Sequence, residues 1–167
     1  TLKQICCTVQ SEGGSEATGI VAALDRGITT VTISTTPVAI LGIRLKDGEF
    51  DAVSDILDVS LLSTTNDNIR WLLAWNPPAV AGTQTWNGIQ GGSIEVMIGV
   101  AGNTVTEGLN IDSGYSSNQV RASAEISLGN LGLGSTVDGI PDTIYLCCQS
   151  LSGNATVTGG ITLRQLV

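Results

Sequence analysis

The carboxylates of the segment KDGEFDAVSDILD are the densest group of side chains in this 167-residue chain that could transfer protons or bind a cation. They are Asp47, Glu49, Asp51, Asp55 and Asp58. Paired carboxylates act as acid and base in glycoside hydrolysis, and carboxylate oxygens bind Ca²⁺. However, their spacing does not match the calcium-binding loop, and Asp-Gly is typical of a turn followed by a solvated face. We therefore predict neither a catalytic pair nor a metal site here.

The chain contains no histidine. This excludes Ser-His-Asp and Cys-His nucleophile systems and most catalytic zinc sites. The glycine-rich segment NLGLGST lacks the lysine of a phosphate-binding loop, and no GxGxxG follows a strand and opens a helix. We expect no cofactor and no enzymatic activity.

The four cysteines form two adjacent pairs near the ends of the chain, Cys6 with Cys7 and Cys147 with Cys148. Neighbouring residues on a strand point to opposite faces, so one cysteine of each pair should face the core. If the first strand paired antiparallel with the later one, Cys6 could oppose Cys148 and Cys7 could oppose Cys147, giving possible disulfides. Opposed Cα atoms lie at the short end of disulfide geometry, and thiols stay reduced in the cytosol, so buried, reduced thiols are favoured over disulfides. A four-cysteine zinc site would need all sulfurs on one side, which adjacent pairs on strands do not offer.

Two aromatic residues are candidates for ligand binding. Trp71 and Trp75 share one face of the apolar segment IRWLLAWN and are predicted to be core residues. Trp86, in AGTQTWNGIQGG, and Tyr115, in IDSGYSS, lie outside such segments. We predict that these two could stack against a saccharide.

The elements that must position these side chains are strands. The pattern predicts an all-β, antiparallel two-sheet β-sandwich, jelly-roll-like, with about ten strands in one domain over residues 1–167. The predicted strands are Lys3 to Val9, Gly19 to Leu24, Thr29 to Ser34, Val38 to Leu45, Ser54 to Ser63, Ile69 to Trp75, Gly92 to Val100, Val120 to Ser127, Thr143 to Ser150, and Ala155 to Leu166.

Two of these segments need comment. In SIEVMIGV, the period of two predicts that Ile94, Val96, Ile98 and Val100 all face the core. In DAVSDILDVSLLS the apolar residues also fit a helix, although the valine and serine content favours a strand.

Composition indicates a subunit of an assembly. Only 13% of the residues are charged, against roughly 25% in ordinary globular proteins. The 15 acidic and 7 basic residues give a net charge of −8, which opposes binding to nucleic acid. No apolar run approaches the ~20 residues of a membrane helix, so we expect no membrane insertion.

Five short motifs, in chain order, resemble a β-sandwich domain of tailed-bacteriophage virion structural proteins. They are CTVQSEGG (Cys7 to Gly14), LLAWNPPAVAGTQTW (Leu72 to Trp86), GSIEV (Gly92 to Val96), IDSGYSS (Ile111 to Ser117) and PDTIYL (Pro141 to Leu146). The resemblance implies a virion structural protein, either a head decoration or cement protein or a tail-fibre element. It implies a homo-oligomer, preferably a trimer, that contacts other virion proteins and is assembled in the host cytoplasm.

Three other functions remain open from the sequence. The first is a carbohydrate-binding module that recognises a host-surface saccharide, in which Trp86 and Tyr115 would contact the sugar. The second is a secreted self-assembling fibre subunit cross-linked through its cysteine pairs. The third is a glycosidase that uses carboxylates between Asp47 and Asp58, which the turn chemistry disfavours.

Overall fold

The computed structural model describes residues 19–49, 52–106, 108–117, 121–125, 133–136 and 138–166. Within these ranges the chain forms strands and turns and contains no helix. The strands of the described residues are β1 (Ile20–Asp25), β2 (Val31–Ile33), β3 (Val38–Leu45), β4 (Val53–Ser63), β5 (Ile69–Trp75), β6 (Ala79–Val80), β7 (Trp86–Gly88), β8 (Ile94–Ile98), β9 (Val105–Thr106), β10 (Leu109–Ser116), β11 (Arg121–Glu125), β12 (Thr143–Ser150) and β13 (Ala155–Leu166). The predicted all-β class is confirmed.

The strands form two large antiparallel sheets. Sheet A has the order β1, β13, β4, β11, and β2 pairs with β13 beyond the end of β1. Sheet B has the order β10, β5, β12, β3, β8, β7. Strands β6 and β9 form a separate two-stranded sheet. One main core contains buried residues of both large sheets, as in a β-sandwich.

Every predicted strand within the described residues is present, with bounds that differ by at most two residues. The predicted strand from Lys3 to Val9 lies outside the described residues. The segment 53–63 is a strand, not a helix. Strands β6, β7, β9 and β10 were not among the predicted strands; the longest of them, β10, has the sequence LNIDSGYS, whose Asn, Asp and Gly are depleted in strands. The jelly-roll connection and the extent of the domain remain predictions.

Sheet B is buried on both faces over much of its width. In β5, Ile69, Trp71 and Leu73 face the main core, whereas Leu72 and Ala74 belong to a second cluster on the outer face. The remaining buried members of this second cluster are Ala39, Met97, Val105, Tyr145 and Cys147. Burial on both sides explains why β3 and β5 read as continuous apolar runs.

One prediction about β8 is wrong. Ile94 is fully buried in the main core and Val96 packs against it, but Ile98 is 44% exposed and Val100 is 56% exposed. The strand ends at Ile98, where Gly99 comes so close to β3 that a Cβ there would lie 1.8 Å from the Ala39 carbonyl oxygen. Ile98 is thus the last residue of the strand and Val100 lies beyond it, so the alternation no longer predicts burial there.

A buried arginine connects the two sheets. Arg26 follows β1 in sheet A and is only 7% exposed. Its Nη1 donates to the carbonyl oxygens of Ile40 and Gly99, each at 2.6 Å, and its Nε donates to the Thr29 carbonyl at 3.3 Å. Because carbonyl oxygens satisfy the guanidinium, this charge is tolerated between the layers.

Candidate functional site

Tyr115 lies on the outer face of sheet B, at the β10 edge. It pairs in register with Arg70 of β5, which alternates with the core-facing Ile69 and Trp71 and so points outward. Tyr115 is 71% exposed. Among the described residues, no aromatic ring or guanidinium stacks on the Tyr115 ring. A large aromatic surface is thus available to solvent.

A depression of about 400 Å³ adjoins Tyr115. It is lined by Asn68, Tyr115, Ser116, Ser117 and Leu151. We call it the Tyr115 depression. The main-chain N–H of Leu151 donates to the Asn68 carbonyl at 3.0 Å, so the turn after β12 is fixed to the start of β5.

Strand β10 and the β12–β13 turn also hold the Tyr115 depression in place. Ser116 is buried and pairs in register with Ile69. The hydroxyl of Ser152 donates to the carboxylate of Asp67, which holds the β12–β13 turn in place from a second position. The walls of the depression therefore consist of the end of β10 and of two turns that are hydrogen-bonded to each other.

Trp86 has different surroundings. Its ring forms an edge contact with Tyr145, with 6.0 Å between ring centroids and 60° between planes. The Arg44 guanidinium carbon lies 4.5 Å from the Trp86 ring centroid, and Arg44 also pairs with Glu95 at 2.6 Å. One face of the indole is thus covered by a cation. We call Trp86, Tyr145, Arg44 and Glu95 the Trp86 cluster.

Gly42 makes the Trp86 cluster possible. It lies between Tyr145 and Met97 in the register of the sheet, and Met97 in turn pairs with Trp86. A Cβ on Gly42 would lie 2.9 Å from the Tyr145 ring and 3.1 Å from the Trp86 ring. The absence of a side chain lets both rings lie over strand β3.

Tyr145 is a neutral member of this cluster. Its hydroxyl donates to Gln84 Oε1 at 2.7 Å, and its side chain is 4% exposed. Burial raises the pKa of the Tyr145 phenol, since the ionised form would lose its hydration. The phenol therefore serves as a hydrogen-bond donor that ties the 76–85 segment to the sheet.

The two aromatic candidates do not form one site. Trp86 belongs to β7 and Tyr115 to β10, the two outermost strands of the six in sheet B. Five strand spacings of ~4.8 Å separate their backbones, or roughly 24 Å. Of these two aromatic residues, Tyr115 is the exposed one, and it adjoins a depression.

The cysteines that the structure describes are Cys147 and Cys148, and both are fully buried in β12. Cys148 faces the main core and Cys147 the second cluster, which confirms the prediction of opposite faces. Strand β12 pairs with β3 on one side and β5 on the other, so no edge is left for direct pairing with the first strand.

Burial raises the pKa of Cys148 well above its usual range, which keeps the thiol protonated and unreactive. Cys6 and Cys7 lie outside the described residues, and disulfides remain a prediction.

The described carboxylates of the acidic segment are divided between a turn and a strand. Asp47 and Glu49 lie in the turn after β3, and Asp55 and Asp58 lie in β4. Asp51 is outside the described residues. Where the chain is described, no three His, Cys, Asp or Glu side chains are grouped so that they could hold a metal ion.

A second depression, of about 250 Å³, lies on sheet A and was not predicted. It is lined by Asp25, Gly27, Ser60, Leu61, Leu62, Thr158 and Gly159. It occupies the gap along β13 between the partners β1 and β2. The Gly-Gly pair inside a strand is the sequence signal that could have indicated it.

Comparisons with protein-family models, curated proteins and solved structures found no match to this chain. In the ranges described, no helix is long and apolar enough to cross a membrane. The exposed surfaces and the Tyr115 depression are therefore the features on which a function can be argued.

Proposed function

We propose that this chain is a structural protein of a tailed-bacteriophage virion, either a head decoration or cement protein or a tail-fibre element. In this role the β-sandwich contacts further copies of itself, preferably as a trimer, and other virion proteins. The proposal rests on the motif resemblance and on one surface, the β1 edge of sheet A. It assigns no catalytic residue.

Among the described strands, β1 lies at an edge of sheet A and carries apolar side chains in a position that isolated proteins usually protect. Ile20 is 58% exposed and Val21 is 56% exposed. Strand β1 has the sequence IVAALD, without lysine or proline, and its single charge is at its end. Edge strands in monomeric proteins are commonly protected by charges, proline or bulges because unpaired edges recruit other chains. An edge with this composition is suited to contact with a neighbouring subunit.

The outer face of sheet A supports the same role. Thr156, Thr158 and Thr162 of β13 are partly exposed there, and Leu62 of β4 is 39% exposed. Short hydroxylated side chains lose little conformational entropy when they are covered. A neighbouring subunit could therefore pack on this face at a small entropic cost.

The oligomeric state tests the proposal. Size-exclusion chromatography with light scattering at micromolar concentration should give an oligomer, and mass spectrometry should detect the chain in purified particles. We expect Val21→Lys to shift the protein toward monomer, because it places a charge in the contact. Ile140→Lys is the matched control, since Ile140 is 63% exposed but lies in the segment before β12. A monomeric wild-type protein that is absent from particles would contradict the proposal.

A further inference from the structure

The Tyr115 depression combines an exposed aromatic face with hydroxyl and amide groups, and none of its described lining residues is charged. We propose that it binds a neutral pyranose ring of a glycan, stacked on Tyr115. This function goes beyond the structural role proposed above and uses a different surface.

The aromatic ring supplies the main contact. The face of an aromatic ring carries partial negative charge, and the C–H bonds on one face of a pyranose carry partial positive charge, so the two surfaces attract. Tyr115 offers such a face because it is 71% exposed and no described ring or guanidinium stacks on it. Leu151, which is 52% exposed, extends the apolar surface beside it.

The rest of the lining supplies hydrogen bonds of the kind that sugars need. The exposed Asn68 side chain has a carbonyl acceptor and an amide donor, and the exposed Ser117 hydroxyl can do both. Sugar hydroxyls also donate and accept hydrogen bonds, so the uncharged amide and hydroxyl groups can bind them. Small-molecule sites commonly pair a large apolar contact with a few polar groups that fix orientation.

The lining favours a neutral sugar over other ligands. A net charge of −8 on the chain opposes anionic ligands, and the part of the lining that the structure describes contains no lysine or arginine. Its volume of about 400 Å³ is suited to one or two sugar rings. A stable protein interface would cover about 800 Å² on each partner, far more than these five residues offer.

The depression is also rigid enough to bind without reorganisation. The Asn68 carbonyl accepts from Leu151 N–H at 3.0 Å, and Tyr115 lies in a strand paired with β5. Walls that are joined by main-chain hydrogen bonds need less ordering when a ligand binds, which lowers the entropic cost of binding.

The test uses the full chain in its native oligomeric state. The probes are the methyl glycosides of glucose, galactose and N-acetylglucosamine, measured by saturation-transfer NMR and titration. We expect at least one glycoside to bind weakly, and Tyr115→Ala to weaken its binding by about tenfold through loss of the stacking surface. Tyr115→Phe keeps the ring and should bind within about twofold of wild type. Leu109→Ala is the matched control, because Leu109 is 65% exposed at the other end of the same strand and should leave binding unchanged.

Three results would overturn the inference. One is that none of the glycosides binds to the wild-type protein. Another is that Tyr115→Ala, with an unchanged circular dichroism spectrum, binds as tightly as wild type. The third is that Tyr115→Ala alters only the oligomeric state, which would make Tyr115 a protein contact. The Val21→Lys measurement is independent, so failure of the glycan site and failure of the structural proposal are distinguishable.

Discussion

The two edges of sheet B each carry an aromatic side chain, in opposite surroundings. At the β7 edge, Trp86 lies against Tyr145 and beneath the Arg44 guanidinium. At the β10 edge, Tyr115 is 71% exposed beside an open depression. Trp86 is part of the packing of the sheet, whereas Tyr115 is accessible to a binding partner.

The difference arises from the neighbouring strands. Next to Trp86, Gly42 leaves room for two rings, and Arg44 is aligned by Glu95 at 2.7 Å from its Nε. Opposite Tyr115, Arg70 donates from Nη1 to Gln149 at 3.3 Å, toward the centre of the sheet. Cross-strand partners, more than the local sequence, thus decide whether an edge aromatic is packed or exposed.

The largest expected effect is on stability at the Trp86 edge. Trp86→Ala should lower the free energy of unfolding by about 2 to 3 kcal/mol, through loss of the buried ring area and the cation–π contact. Tyr115→Ala should change it by no more than about 0.5 kcal/mol, as for other exposed positions. Urea denaturation of both variants measures this. If both variants lost the same free energy of unfolding, the two side chains would contribute equally to stability despite their different surroundings.

Gly42→Ala should come next. Its Cβ would lie 2.9 Å from the Tyr145 ring, so the rings must move, at a cost of about 1 to 2 kcal/mol. Near-ultraviolet circular dichroism should change with the movement of the aromatic pair. Gly153→Ala is the control, because a Cβ there meets nothing within 4 Å. A Gly42→Ala protein as stable as wild type would mean that the two rings have spare room.

Tyr145 gives the Trp86 cluster a dependence on pH. Its pKa is raised by burial, so the unfolded chain ionises first as pH rises through about 10. The unfolded state then binds fewer protons than the folded state, and stability falls with rising pH. Tyr145→Phe should remove this alkaline component and cost about 1 kcal/mol at pH 7 through loss of the hydrogen bond to Gln84.

A matched variant separates the two effects of Tyr145. Gln84→Ala removes the acceptor but keeps the phenol buried, so it should lose stability at pH 7 and retain the alkaline decline. Urea unfolding at several pH values between 7 and 11 measures both proteins. If Tyr145→Phe retains the full decline, the titrating group lies elsewhere.

Local patterns in the sequence predicted most of the strands. β3, β5, β12 and β13 begin and end where the alternation and the flanking turn residues predict. The signal fails at β10, whose polar residues occupy an edge, and at Ile98, the last residue of β8, which is exposed. In both places the position in the sheet, and not the local pattern of apolar and polar residues, decides whether a residue forms a strand or is buried.

The candidate site was predictable only in part. Tyr115 was recognised as an aromatic outside the apolar strands, but so was Trp86, and their difference depends on register with strands far away in sequence. Asn68 and Leu151 were missed because they are ordinary turn residues that meet only through pairing of β5 with β12. No local pattern records that contact.

The smallest expected effect concerns the ion pair that aligns Arg44. Arg44 and Glu95 are 29% and 23% exposed, so solvent screens much of their attraction. Glu95→Gln should lower the free energy of unfolding by no more than about 1 kcal/mol, and the difference from wild type should shrink in high salt. Arg44→Met should cost more, since it also removes the cation from the Trp86 ring. If Glu95→Gln lowers the free energy of unfolding as much as Arg44→Met does, the carboxylate is needed to hold the guanidinium over the Trp86 ring. The ion pair would then be what keeps Trp86 packed, in contrast to Tyr115.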